Sequence, residues 1–479
     1  MLNPDSSWQA GRQAMRLSAV LLLMLLLLPS AAHGDAGFEE ITLQQALKMA
    51  EDASNSLRRA DWERVAARAE TEAARARRRP MISSTVSSTY MLDPPDGVVL
   101  RRGSLGSSEA PGTTYPVPVP NQDVVLVPEP EHTYYRLNTV LEQPLFTWGK
   151  LSRGEAASRL GEQTAEADRE QARRELARDT ALSYYGVVFA GRTAALLRQT
   201  EDTARQMLED RELAFEVGAV NRERLLETRT ELQEIQLQRQ KAVQAVRSAE
   251  YGLSVMLQQG VTAHQLVSDY NEIYRMTAVN QLQEQQLIQQ AREHSTELKK
   301  LTLQRRQAEI AREIEQLSMP WRPDIALQLQ LEASGQRLPG QANWHDSWDV
   351  GLNITLASSF DLYDGGRRRA AEDQAESRVE QLIYGAAELR DGIGYRVRSA
   401  VEQVENRSMQ LELAESRREL AVERSKNAEV SFDNELITRT EKLGAEVLQL
   451  LAELELEQAR YELRTALIEL SHLSGLADY

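Results

Sequence analysis

The chain has 479 residues, a formal net charge of −16, 5% aromatic residues and no cysteine. The missing cysteine excludes disulfides, thiolate metal sites, cysteine nucleophiles and a lipid anchor on an N-terminal cysteine, and the acidic balance disfavours nucleic acid as a partner. Ala, Glu, Gln, Arg and Leu dominate, which is the composition of long helices rather than of a compact α/β enzyme.

No two of the six histidines lie within five residues of each other, so a helical His-x-x-x-His metal pair is absent. No nucleophile–base pair or phosphate loop is evident, so no catalytic residue, cofactor or metal is expected.

Arg12 and Arg16 precede the apolar run from Leu17 to Leu28, and Pro29-Ser30-Ala31-Ala32-His33-Gly34 supplies small residues for cleavage. That run of 12 residues is short of the roughly twenty that a membrane-spanning helix needs. Residues 1–34 read as a secretory signal peptide, which places the mature chain outside the cytoplasm.

Leu43, Ala46, Leu47, Ala50, Leu57, Val65 and Ala69 recur at helical spacing and predict a helix over 42–79, stopped by Pro80. Ile82, Val86, Tyr90 and Leu92 then oppose Ser83, Thr85, Ser87 and Thr89, the period of a strand. Residues 93–132 hold more than half of the chain's 15 prolines and predict a long, poorly ordered loop. Alternation resumes with Tyr135, Leu137, Thr139 and Leu141 against Tyr134, Arg136, Asn138 and Glu142. From Gly149 a helix is expected to about 215, then a break at Val217-Gly218-Ala219-Val220-Asn221, then a second helix to Gly260.

A connector at 261–281 separates this from the same order again. A helix over 282–318 ends at Pro320 and Pro323, and Ile325, Leu327, Leu329 and Leu331 alternate with Asp324, Ala326, Gln328, Gln330 and Glu332. A short loop precedes the cleanest alternation of all, Trp348, Val350, Leu352, Ile354 and Leu356 against Asp349, Gly351, Asn353 and Thr355. After Asp364-Gly365-Gly366 helix runs to about 430, breaks at 432–437 and resumes to about 473. The expected layout is thus 35–80 helix, 81–146 hairpin, 147–260 helix pair, 261–281 connector, 282–320 helix, 321–362 hairpin, 363–473 helix pair and a tail at 474–479.

The halves form a tandem repeat. A shift of 217 positions puts Gly149 on Gly366, Phe146 on Tyr363, Phe215 on Phe432 and Val220 on Ile437. The same shift maps the seam Ile235, Ala242, Val246, Ala249, Leu253, Met256 onto Ala452, Ala459, Leu463, Ala466, Leu470, Leu473. Gly218 falls on Glu435, so Asn434 is expected to take the left-handed position of the second turn.

Four strands of about ten residues, each with one apolar face, fit membrane-spanning β-strands, which need about 9–11. Trp148, Trp321, Trp344 and Trp348 sit at strand ends, where interfacial girdles belong. In lipid no sheet edge stays unpaired, so four strands must complete a barrel with copies of the chain. Two copies would fill the interior with side chains, whereas three leave a channel. The first long helix spans roughly 100 Å, too long for a compact domain but suited to crossing a periplasm.

Helix–strand–strand–helix–helix, twice over, resembles a TolC-type outer-membrane efflux protein of the outer membrane factor family. The matching residues are Ala46-Leu47 with Ala50, Asn55-Ser56-Leu57 echoed by Ala291 and Thr296-Glu297-Leu298, Pro80 and Pro323, Gln143-Pro144-Leu145-Phe146, Leu362-Tyr363-Asp364-Gly365-Gly366-Arg367, and the turns at Gly218 and Ile437. The resemblance implies a membrane α+β fold: a homotrimer with a 12-stranded outer-membrane barrel continuing into a long periplasmic α-helical barrel. It also implies docking to a periplasmic adaptor protein and an inner-membrane pump, so that the chain serves as passive exit duct of a tripartite efflux or type I secretion system. A periplasmic coiled-coil adaptor or scaffold without a channel is the alternative.

On this reading Asp349, Asn353, Thr355, Gln328, Gln330, Arg136 and Asn138 face the barrel lumen. The resemblance further implies acidic residues narrowing the periplasmic aperture. Glu441 falls on the first such position, and Gly444 stands where the second carboxylate is usual. Arg75, Arg77, Arg78, Arg79, Lys150, Arg153, Arg322, Arg367, Arg368 and Arg369 place basic residues at all four strand–helix junctions, where outer-membrane lipid headgroups are expected.

Overall fold

The computed structural model describes residues 40–108, 115–267, 284–319, 321–360 and 362–476. The expected signal peptide lies outside these residues, as do most of the connector, Pro320 and the last part of the tail.

The 217-residue offset holds at the level of coordinates. Helices α3 (Lys150–Glu216) and α7 (Arg367–Asp433) have 67 residues each, and α4 (Arg222–Leu257) and α8 (Arg439–Ser474) have 36 each. Proline-free sequence lets α3 and α7 run unbroken for about 100 Å at 1.5 Å per residue.

The leading helix of each half is split, where single helices over 42–79 and 282–318 were expected. The first consists of α1 (Leu43–Ala53) and α2 (Asn55–Ala76), the second of α5 (Glu284–His294) and α6 (Thr296–Leu317). Ser54 (φ −64°, ψ 118°) and Ser295 (φ −65°, ψ 112°) leave the helical region. Each hydroxyl accepts the amide of a leucine three residues on, Leu57 at 3.2 Å and Leu298 at 3.1 Å, which replaces a lost ladder bond. The split gives the short pieces their own packing partners: α1 lies on α3 and α4, and α5 on α7 and α8.

The two largest apolar cores form there. Ala46, Ala50, Tyr184, Val187, Leu253 and Leu257 make one, and Leu287, Ala291, Val397, Val404, Leu467 and Leu470 make its counterpart. Small residues on α1 and α5 allow close helix approach, and the seam residues Ile235, Ala242, Leu253, Ala452, Ala459, Leu463 and Leu470 are buried as the pattern requires. The fully buried Tyr184 hydroxyl lies 2.8 Å from Ile41 O and 2.7 Å from Val267 O. It thereby ties α3 to the short parallel bridge between Ile41 and Leu266 of the connector.

Strands β1 (Met81–Tyr90), β6 (Thr133–Phe146), β7 (Asp324–Gly335) and β8 (Trp348–Ser359) form one antiparallel sheet in that order. The halves therefore meet through β6 and β7, leaving β1 and β8 as edges. Between β1 and β6 the expected loop is partly ordered. It folds back as two ribbons, β2 (Val98–Leu100) with β5 (Val124–Val127), and β3 (Ser107–Ser108) with β4 (Val117–Pro118). Valine runs supply the β-preference there, and the prolines keep each ribbon short.

The far turns also match each other, with one correction. Gly218 adopts φ 73° between α3 and α4, and between α7 and α8 the left-handed residue is Glu435 (φ 61°), not Asn434. Asn434 stays near the helical region (φ −92°, ψ 12°), and its side-chain amide donates to Val430 O at 2.7 Å. Backbone bonds Ala219 N to Ala214 O and Leu436 N to Ser431 O close both turns identically, so the tertiary turn overrides the glycine preference.

Candidate channel wall and its junctions

Register decides which strand residues share a face. Asn138 sits opposite Thr85 and Glu332, and Glu332 opposite Gly351; Arg136 sits opposite Ser87 and Ser334, and Ser334 opposite Asp349. Gln330 pairs with Asn353, and Gln328 with Glu142 and Thr355. All seven strand residues singled out from sequence, Asp349, Asn353, Thr355, Gln328, Gln330, Arg136 and Asn138, therefore lie on one polar face. They interact there: Gln330 Nε2 donates to Asn138 Oδ1 at 3.0 Å, and Arg136 Nε stands 3.6 Å from Glu332 Oε1. Glu332, Glu142 and Tyr134 join this face, and the same alternation marks them in the sequence.

The opposite face carries Ile82, Val86, Leu137, Leu141, Leu329, Leu331, Val350, Leu352, Ile354 and Leu356. Val350, Leu352, Ile354 and Leu356 on β8 are each 67–70% exposed in the single chain. Four such residues in a row on an edge strand are a large uncovered apolar surface, which water does not tolerate and lipid does. Among the described residues no helix is long and apolar enough to cross a membrane.

The passage from sheet to helix uses the same turn twice. Lys150 N bonds Thr147 O at 2.9 Å across Trp148 (φ 53°) and Gly149 (φ 81°), and Arg367 N bonds Asp364 O at 3.3 Å across Gly365 (φ 67°) and Gly366 (φ 90°). Two left-handed residues in succession make a tight reversal, for which glycine is the favoured residue. Trp148 holds its position with an indole N–H donated to Pro323 O at 3.0 Å and an edge contact to Phe146.

Most of the junction's cations have protein partners. Glu155 is buried and receives Arg75 at 3.1 Å, Arg78 at 3.2 Å and Arg159 at 2.6 Å. The hydrogen bond from Arg75 leads in holding the Glu155 carboxyl below its ordinary pKa, against an opposing effect of burial. Lys150 meets Asp324 at 2.6 Å, Arg153 meets Glu313 at 2.9 Å, and Arg368 meets Asp364 at 2.8 Å. Sequence reasoning saw the cations but not Glu155, whose partners lie 80 and 77 positions away.

At the far end, Glu441 is the third residue of α8 and closes a capping box. Its carboxylate accepts from Thr438 N at 2.8 Å and from Thr438 Oγ1 at 3.0 Å, while Thr438 Oγ1 accepts from Glu441 N at 3.3 Å. The backbone amide of Thr438 is the first cause holding the Glu441 carboxyl below its ordinary range. Nearby, Arg439 on α8 pairs with Asp210 on α3 at 3.2 Å and so links the two repeats beside their turns.

A sheet with one wet and one apolar face, two open edges and helices of about 100 Å beneath it is the geometry of a membrane duct wall. A protein-family model described as outer membrane efflux protein matches residues 46–259 and 287–476. The chain belongs to the outer membrane efflux protein family. Among solved structures it is similar to the CmeC outer membrane channel of Campylobacter jejuni, with TM-score 0.65 and 15% identity over 91% of this chain and 86% of that one. It is likewise similar to the outer membrane protein VceC of Vibrio cholerae, with TM-score 0.65 and 16% identity over 90% and 96%. The open state of the MtrE outer membrane channel of Neisseria gonorrhoeae gives TM-score 0.66 and 13% identity over 90% and 88%. No curated protein matches the chain.

As an outer membrane efflux protein, the chain is a channel rather than an enzyme, and it has the TolC-like α+β fold. It resides in the outer membrane of a Gram-negative bacterium, with its helices extending into the periplasm. The scaffold alternative is thereby set aside.

Proposed function

We propose that three copies of this chain assemble into one 12-stranded barrel and one continuous duct. The duct is the passive exit of a tripartite efflux or type I secretion system, fed by an inner-membrane pump through a periplasmic adaptor protein. The observation that carries this reading is the open four-stranded sheet. Among the described residues edges β1 and β8 are unpaired in the single chain, and a membrane leaves no edge unpaired. Three copies join β8 of one to β1 of the next and leave a wet interior lined by Asp349, Asn353, Thr355, Gln328, Gln330, Arg136 and Asn138.

In this assembly the loop at 93–132 lies outside the cell, and the turn bearing Glu441 lies at the periplasmic entrance. The mature protein, purified and fused into planar bilayers, is expected to have the mass of a trimer and to conduct ions in discrete steps. A soluble, monomeric, non-conducting rod overturns the proposal.

A further inference from the structure

Resting on the channel reading, we infer that each subunit carries a binding site for the headgroup phosphate of an anionic phospholipid, where the sheet meets the helices. The site is a groove of about 310 Å³ between the ends of α6 and β8 and the starts of α3, β7 and α7. Lys150, Arg322, Arg367 and Arg368 line it, with the carboxylates Glu315 and Asp324 as the only acids among its lining residues. Four cations against two carboxylates leave the groove net positive, in a chain whose overall charge is −16.

Its place relative to the sheet identifies the ligand's source. Phe360 lines the groove, is about half exposed and directly follows β8, whose even-numbered residues Val350, Leu352, Ile354 and Leu356 carry the apolar face. Met319 borders the groove too, and Trp321, 69% exposed, stands beside it in sequence. The groove therefore lies at the lower rim of the apolar wall, where acyl chains give way to headgroups and where exposed tryptophan is favoured.

The cations are also differently committed. Lys150 is shared with Asp324, and Arg368 with Asp364. Among the described residues Arg322 has no carboxylate partner and is held 5.8 Å over the Trp148 ring, a contact that leaves its N–H donors able to take an anion. Arg367, Arg368 and Arg369 crowd the first turn of α7, where Asp364 is already committed as a cap, accepting from Gly366 N and Arg368 N at 3.1 Å each, so positive charge outnumbers the carboxylate at this helix start. A diester phosphate in the groove meets Arg322 and the surplus positive charge around it, with its acyl chains rising along Phe360 and the even-numbered face of β8.

The test uses the full mature protein as the assembled channel, in lipid nanodiscs or titrated with vesicles. Phosphatidylglycerol is expected to raise its thermal midpoint and remain bound through detergent exchange, and phosphatidylcholine to do neither. The pair Arg322→Gln with Arg367→Gln is expected to weaken phosphatidylglycerol binding at least fivefold, while Arg224→Gln, a charge loss at the far turn, leaves it unchanged. Equal binding by the double variant and the native protein, or equal effects of the two lipids, overturns the site. Inorganic phosphate reproducing the whole effect overturns the headgroup assignment. Conductance is read on the same preparation, so a lost lipid effect with conductance intact refutes the site alone, whereas absent conductance refutes the channel reading.

Discussion

Trp148 and Gly365 occupy the same position of the same turn, one in each repeat, and both hold a left-handed backbone (φ 53° and 67°). The bulkiest residue stands where the second repeat uses the smallest. A side chain in this region costs about 1–2 kcal/mol. Gly366, at φ 90° with open space around its α-carbon, feels that cost and no clash if a methyl group is added. Gly366→Ala should therefore destabilise the channel by roughly 1–2 kcal/mol in thermal melts. Trp148→Gly relieves the same backbone strain but loses the bond to Pro323 O and the contact with Phe146, so it should lower stability through those lost side-chain interactions. Restoration by an aromatic residue without a ring N–H, as in Trp148→Phe, should be incomplete.

The two faces of β8 predict opposite phenotypes one residue apart. Ile354→Lys puts a charge on the apolar face, where mid-membrane lysine costs about 2–4 kcal/mol, and should block assembly in the outer membrane. Asn353→Lys lies on the polar face and should assemble normally but shift conductance towards anions. Reversed phenotypes in membrane fractionation and bilayer recordings would invert the sheet.

Glu155 predicts a pH effect. Its folded-state pKa is depressed, so the stability it supplies is present above the ordinary carboxylate pKa and lost as pH falls through the lower folded value. Glu155→Gln should lower the melting midpoint at pH 7. The gap from the native protein should close on acidification, once both states carry a neutral group. Glu166→Gln, which removes only an exposed pair with Arg64, should change little.

Glu441 has two separable properties, its cap and its charge. Glu441→Gln keeps an oxygen acceptor for Thr438 but removes the charge, so it should lower the melting midpoint only slightly at pH 7 while reducing cation preference at the periplasmic entrance. Thr438→Ala should do the reverse, costing about 1 kcal/mol with selectivity intact. Unaltered selectivity in Glu441→Gln recordings would remove this residue from the aperture.

Where periodicity was long, the fold was legible in residue letters alone. The 217-residue offset, the parity of Gln328, Gln330, Asn353 and Thr355, and the seam from Ile235 to Leu253 all follow from repeat lengths of 2 and 3.5 that persist for many residues. Short-range decisions were harder. Ser54 and Ser295 interrupt helices whose apolar spacing continues on both sides, and only the following Leu57 and Leu298 amides show that the serines are caps. Glu435 was misjudged because local preference favours Asn434, while the Leu436–Ser431 backbone bond imposes the turn. Glu155 was missed because burial of a carboxylate depends on arginines from another helix. The ribbons at Val98 and Val124 were hidden by the prolines between them.

The first helices of the two halves are related by 241 positions, the later ones by 217. The whole difference arises in the hairpins, since Tyr90 and Thr133 bracket the loop with its two ribbons whereas Gly335 and Trp348 bracket a short one. In the proposed trimer, material arriving from the periplasm meets a wall whose six near-equivalent sectors scarcely distinguish one repeat from the other. Material outside the cell meets alternating tall and low rims, with three-fold character only. Duplication kept the inner conduit nearly uniform, and the outer mouth is the part of the duct where the two halves have diverged in length.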